Sequence, residues 1–111
     1  MGKFVKGDVV VLPFPFSDLT SSKRRPALVV AIASVDDVIL AQITSSSFSD
    51  SYAVELADKD FSNGGLSVMS NIRPNKLFTA EVSIIAYKVG NVKSQKMKDV
   101  AAIITELVSV K

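Results

Sequence analysis

The sequence predicts a mainly β fold: a small, strongly bent antiparallel sheet or barrel with one helix at its C-terminal end. Three observations carry that reading. Six or seven short runs rich in Val, Ile and Leu are set apart by Gly, Pro, Ser and Asp signals. The runs do not alternate with helical patterns, which speaks against a parallel βαβ sheet. Only Ser94 to Val108 is helical by spacing, with Met97, Val100, Ala101, Ile104, Leu107 and Val108 forming one stripe.

Met1 to Lys6 is a short basic lead-in, and Gly7-Asp8 is a turn signal before a strand over Val9 to Leu12. Pro13 and Pro15 have no N–H to give a ladder, so pairing stops there or moves to an edge. Phe14 and Phe16 share one face of the extended segment and are expected to seal one end of the core. Ser17 to Lys23 reads as a polar loop. Pro26 biases Arg25 toward extended backbone, and Ala27 to Ala33 is a continuous apolar run, the pattern of a strand buried on both faces. Ser34 to Asp37 is a turn and Val38 to Thr44 a strand. Ser45 to Ser51 is a Ser-rich loop, and Tyr52 to Leu56 a short strand.

Ala57 to Gly65 reads as a loop holding at most one helical turn, with Asn63-Gly64 as a tight-turn dipeptide. Its acids Asp58 and Asp60 lack a third ligand in spacing, so a surface turn is expected there and not a metal site. Leu66 to Ile72, Lys76 to Thr79 and Val82 to Val89 are expected to be extended, with Gly90-Asn91 as a breaker and Ser94 as the helix N-cap.

The 111 residues suit one domain, 1–111. The 48% hydrophobic content is that of a folded chain. There is no cysteine and no histidine, which removes the disulfide framework, the thiolate nucleophile, the usual zinc ligands and the usual general base. No apolar run approaches the ~20 residues of a membrane span and no signal-peptide pattern opens the chain, so a cytoplasmic protein without a membrane partner is expected. The net charge of +2 is unevenly placed. Residues 1–25 hold five Lys/Arg against two acids, residues 26–72 one against six, and residues 73–111 seven against three. If the two ends meet, they form a basic face for a polyanion.

The stretch Gly7 to Ser45 organises the chain. Its loop ends in Lys23-Arg24-Arg25, so Arg25 sits where a polar loop becomes a buried strand, anchored behind and open in front. Four motifs in register resemble the PemK/MazF family of toxin–antitoxin ribonucleases. They are Gly7-Asp8-Val9-Val10, Arg25-Pro26-Ala27-Leu28-Val29, Ile43-Thr44, and Ser70-Asn71-Ile72-Arg73-Pro74-Asn75-Lys76-Leu77, followed by Gly90 and the C-terminal helix. The loop departs from better-known members, which carry a Gly- and Glu-containing segment there. Asp18 is the acid available nearby.

The resemblance implies an SH3-like barrel, a homodimer, and a sequence-selective endoribonuclease toxin acting on single-stranded RNA. It also implies neutralisation by a cognate antitoxin protein. Arg25 and Thr44 match the family's catalytic arginine and threonine, and the resemblance sets them facing each other across adjacent strands. Asn71 and Arg73 match positions lining the RNA groove. Lys23, Arg24, Ser45 and Lys76 are further candidates for phosphate contact. Phe48 and Tyr52 are possible stacking residues, with core packing the stronger expectation. No cofactor is expected. Two other readings stay open: an inactive RNA-binding or interaction module on the same barrel, and a gyrase poison like the CcdB toxins. The latter use a tryptophan-containing tail, and this chain has no tryptophan.

Overall fold

The computed structural model describes residues 3–14, 23–45 and 50–110. Within them the chain forms seven strands and one helix: β1 Asp8–Pro13, β2 Arg24–Ile32, β3 Asp37–Ser45, β4 Val54–Leu56, β5 Phe61–Gly64, β6 Ser70–Glu81, β7 Tyr87–Val92 and α1 Ser94–Val108. All pairings are antiparallel, in the order β4-β6-β3-β2-β1-β7-β5. The expected mainly β fold with a C-terminal helix is the fold observed.

The sheet carries core on both faces. Val9, Leu28, Ala41, Ile43 and Ile72 pack with Val100 of α1 on one side. Val10, Leu12, Ala27, Val29 and Leu40 pack with Phe14 on the other, where the Phe14 and Phe78 rings meet edge-on at 5.1 Å. Neighbouring residues thus go to opposite clusters, as the period of a strand demands. Register shifts interrupt the β1–β7, β2–β3 and β3–β6 ladders and bend the sheet into a curled half-barrel.

Several expectations need correction. Asn63-Gly64 is no turn: it ends β5, where Asn63 pairs with Asn91 and Gly64 with Gly90. Gly90-Asn91 does not break a strand but lies inside β7, because the two backbones pass too closely there for any side chain on either glycine. Residues 66–69 are not strand, and β6 begins at Ser70. It then runs through Pro74, which is tolerated because the register jumps from Ala41↔Leu77 to Gln42↔Arg73 and leaves 74–76 as a bulge. Val82–Ile84 is a 3-10 turn, so Val82 to Val89 is only partly extended. The N-cap of α1 is Lys93, not Ser94, and no side chain caps it. The 27–33 run is buried on both faces only at Ala27–Val29; Ile32 is exposed at the sheet's end. The stripe of α1 docks through Val100, Met97 and Ile104, while Leu107 and Val108 are exposed. Tyr52 is also exposed. Phe16, Asp18, Phe48 and most of the 17–23 loop lie outside the described residues.

Gly7 and Asp8 hold the middle of the sheet together. Gly7 adopts φ +96°, a conformation natural to glycine. Its N–H donates to Val29 O at 2.9 Å and its carbonyl accepts from Val92 N at 2.9 Å. Asp8 is buried, and its carboxylate accepts from Val5 N and Asn91 Nδ2, each at 2.9 Å, with Lys88 Nζ at 3.7 Å.

Candidate active site

Arg25 is the second residue of β2 and pairs with Leu12 of β1, which fixes its backbone. The β2–β3 ladder reaches Ala27 and Gln42. Arg25 and Thr44 stand two residues beyond that last pair, one on each strand, and line one pocket. Thr44 pairs with Asn71 of β6, and Asn71 pairs in turn with Glu55 of β4. Thr44, Asn71 and Glu55 therefore form one polar row across three adjacent strands, with Arg25 on the next strand just past the end of its ladder. Directly opposed residues share a face, and this is the face that carries Ala27 and Leu40 further along.

Two arginines on this face, Arg25 and Arg73, differ in freedom. Arg25 is exposed and makes no ion pair among the described residues. Arg24 and Lys23 beside it are exposed as well. Arg25 and Thr44, with Ser45, line a pocket of about 280 Å3, whose other wall is the segment Leu66–Val68 and Ser70. Inside it Thr44 Oγ1 is buried with no hydrogen-bond partner among the described residues. A buried hydroxyl without a partner is costly, and such groups gather where a ligand supplies the missing bond.

Arg73 shares the row's face, opposite Gln42, but is held. Its guanidinium meets the Asp50 carboxylate at 3.2 Å, and Asn75 Nδ2 reaches the same oxygen at 3.3 Å. Burial works to raise the Asp50 carboxyl. The bonds from Tyr52 N–H, Arg73 and Asn75, with the charge of Arg73, outweigh burial and hold it below the ordinary carboxylate value. Lys76 stands apart, in the bulge of β6, where it lines a different pocket with Gln42, Leu77 and Phe78. Among the described residues no cluster of three or more His, Cys, Asp or Glu gathers as a metal site. Asp60 accepts from Ala57 N at 2.8 Å and pairs with Lys96 at 3.6 Å.

Three contributors escaped the sequence reading. Ser67 and Val68 belong to the pocket wall because 66–69 is a loop, whereas the apolar pattern reads as strand. Glu55 enters the row through the pairing of a three-residue strand, which no local pattern reveals.

Residues 5–108 match the profile of the PemK-like, MazF-like toxins of type II toxin–antitoxin systems, and the chain belongs to that family. Among solved structures it is similar to an endoribonuclease in complex with its cognate antitoxin from a mycobacterial species. The identity there is 12%, 97% of each chain is covered, and the TM-score is 0.75. It is similar as well to the Mycobacterium tuberculosis toxin MazF-mt6, with 17% identity, 94% of this chain and 98% of that one covered, and a TM-score of 0.71. MazF from Deinococcus radiodurans gives 18% identity, coverages of 95% and 96%, and a TM-score of 0.71. At these identities the likeness is one of fold, and it is the curled β fold with a C-terminal helix that the sequence resemblance implied. A search of curated protein sequences gave no match.

Proposed function

We propose that this chain is an endoribonuclease toxin that cleaves single-stranded RNA, mRNA among it, by attack of the ribose 2′-hydroxyl on the adjacent phosphate. The observation that carries the reading is the meeting in one pocket of Arg25 and the buried Thr44 hydroxyl, both without a partner among the described residues. RNA brings its own nucleophile, tethered beside the phosphorus, so alignment alone recovers much of the barrier. The Arg25 guanidinium neutralises charge developing on the phosphate oxygens and on the departing 5′-oxygen. Thr44 Oγ1 donates to a non-bridging oxygen or to the 2′-oxygen, which satisfies the bond it lacks. Asn71, Arg73 and Ser45 line the RNA path, and Arg24 and Lys23 meet flanking phosphates, with Lys76 further out. A chain without histidine or cysteine is poorly supplied with transition-metal ligands. On this reading cleavage needs no added metal, and attack by the 2′-oxygen leaves a 2′,3′-cyclic phosphate and a 5′-hydroxyl.

The rest of the reading is built on family membership. The chain acts as one toxin domain in the cytoplasm, as a homodimer, with selectivity for an RNA sequence. Its protein partner is a cognate antitoxin, of the kind present in the mycobacterial and Deinococcus radiodurans complexes. The antitoxin's extended acidic segment complements the basic terminal thirds of the chain. The test is an RNA oligonucleotide carrying a single 2′-deoxy nucleotide at the mapped cleavage position, assayed in excess EDTA. The all-RNA strand should be cut and the deoxy strand should resist. Equal cutting of both contradicts attack by the 2′-oxygen.

A further inference from the structure

We propose that Glu55 is a further catalytic residue, the base that takes the proton from the attacking 2′-hydroxyl; the proposal rests on the endoribonuclease reading and deepens it. Arg25 and Thr44 leave one task undone. A guanidinium has no acceptor and a threonine hydroxyl is a poor base, so neither receives that proton. A carboxylate must do so in a chain without histidine.

Several other described acids are occupied or lie at the far end of the sheet. Asp50 is bound by Arg73 and Asn75. Asp8 is buried among its own donors, and Asp60 is held by Ala57 N and Lys96. Asp37 and Glu81 pair with each other's strands at the opposite end of β3 and β6. The Glu55 carboxylate is exposed and makes no hydrogen bond or ion pair among the described residues. Its neighbours Val54 and Leu56 pack into the cluster around Val9. Alternation therefore turns Glu55 to the face of Asn71, Thr44 and Arg25.

The spacing suits the reaction. Strands lie ~4.8 Å apart, so two steps across the paired strands place Glu55 about 10 Å from Thr44 at Cα, and Arg25 lines the Thr44 pocket from the next strand. Extended side chains reach roughly 4 Å for Glu and 7 Å for Arg, so a phosphodiester over Thr44 and Asn71 is within reach of both. Carboxylate and guanidinium then stand at opposite ends of it, as an in-line displacement requires. The backbone of Glu55 is braced: Lys96 Nζ of α1 donates to its carbonyl at 2.8 Å while pairing with Asp60.

In the step, the O2′ proton passes to the Glu55 carboxylate as the O2′–P bond forms and the P–O5′ bond breaks. The 5′-oxygen leaves beside Arg25 and takes a proton from water, and Glu55 later returns its own to water. The charged groups around Glu55 are Arg25 past the end of the row, Arg73 on β6 with its Asp50, Lys96 on α1 with its Asp60, and Asp58 and Lys59 in the turn after β4.

Single-turnover cleavage of an all-RNA oligonucleotide by wild type, Glu55→Gln, Glu55→Asp and Arg25→Ala tests this. Glu55→Gln should slow cleavage roughly 10²- to 10³-fold. It should leave RNA binding within about twofold and remove the limb of the pH–rate profile that rises as a carboxylate ionises. Glu55→Asp should restore part of the rate and the limb. A substrate with sulfur in place of the scissile 5′-oxygen, whose leaving group needs little help, should rescue Arg25→Ala but not Glu55→Gln. Wild type active and Glu55→Gln within threefold of it, or an unchanged pH profile, overturns the role of Glu55 alone. Wild type that cuts no RNA overturns the endoribonuclease reading and this proposal together.

Discussion

Two polar clusters in one sheet are built in opposite ways. Around Asp8 both carboxylate oxygens accept hydrogen bonds, from Val5 N and Asn91 Nδ2, with Lys88 nearby. The carboxylate is buried and spoken for, and it ties the lead-in, β1 and β7 together. Around Thr44 the buried hydroxyl has no partner, and the Arg25 cation beside it no counter-charge, among the described residues. Both places match motifs of the same family, yet the first is satisfied within the chain and the second waits for an outside group. Satisfaction separates a polar group that holds the fold from one that meets a substrate.

Substitution should expose the contrast. Arg25→Ala is expected to lower cleavage by roughly 10²- to 10³-fold, the usual cost of losing one donor to developing oxyanion charge. Its thermal midpoint should stay unchanged, since an exposed unpaired cation adds little stability. Calorimetry beside a gel cleavage assay checks both halves. Asp8→Ala should do the reverse. It strands buried donors, costs about 2–4 kcal/mol and lowers the midpoint by roughly 10–20 °C, while the protein that stays folded still cleaves. A loss of cleavage with an unmoved midpoint would mean that Asp8 belongs to the site.

Smaller effects follow. Arg24→Ala should weaken RNA binding evenly across sequences and reduce the slope of log affinity against log salt by about one; titrations at several salt concentrations measure it. The Asp50 carboxyl lies below its usual 3.8 in the folded chain, so its link to Arg73 stabilises at neutral pH. That contribution should stay level down to about pH 4 and fade as pH drops through the lowered value. Melting of wild type against Asp50→Asn should therefore show a gap at pH 7 that closes in strong acid, and a gap that grows there would contradict the assignment.

What was legible followed from local chemistry. Arg25 before Pro26 and Thr44 at the end of an apolar run are visible as strand ends, and one pocket holds both. The apolar alternation of Val9–Leu12 and the stripe of α1 announce the core. Pairing between distant segments was not legible. Asn63-Gly64 has the composition of a turn, but its glycine exists for the close passage against Gly90. Pro74 argues against a central strand until the bulge at 74–76 relieves it. Glu55 looks like a solvated charge on a short edge strand, and only the pairing of β4 with β6 sets it in line with Asn71 and Thr44. The pairing of Arg73 with Asp50 joins residues 23 apart in the chain, with β4 and β5 between them, and carries no sequence signal.

The contrast rests most directly on Thr44→Val, which keeps the shape and removes only the hydroxyl. Melting temperature and single-turnover cleavage should be measured on one preparation. The midpoint is expected to hold or rise, because an unsatisfied buried hydroxyl is lost, while cleavage falls by about tenfold or more, the worth of one hydrogen bond to the reacting phosphate. A fallen midpoint with cleavage intact would contradict it, and would make Thr44 a structural residue like Asp8.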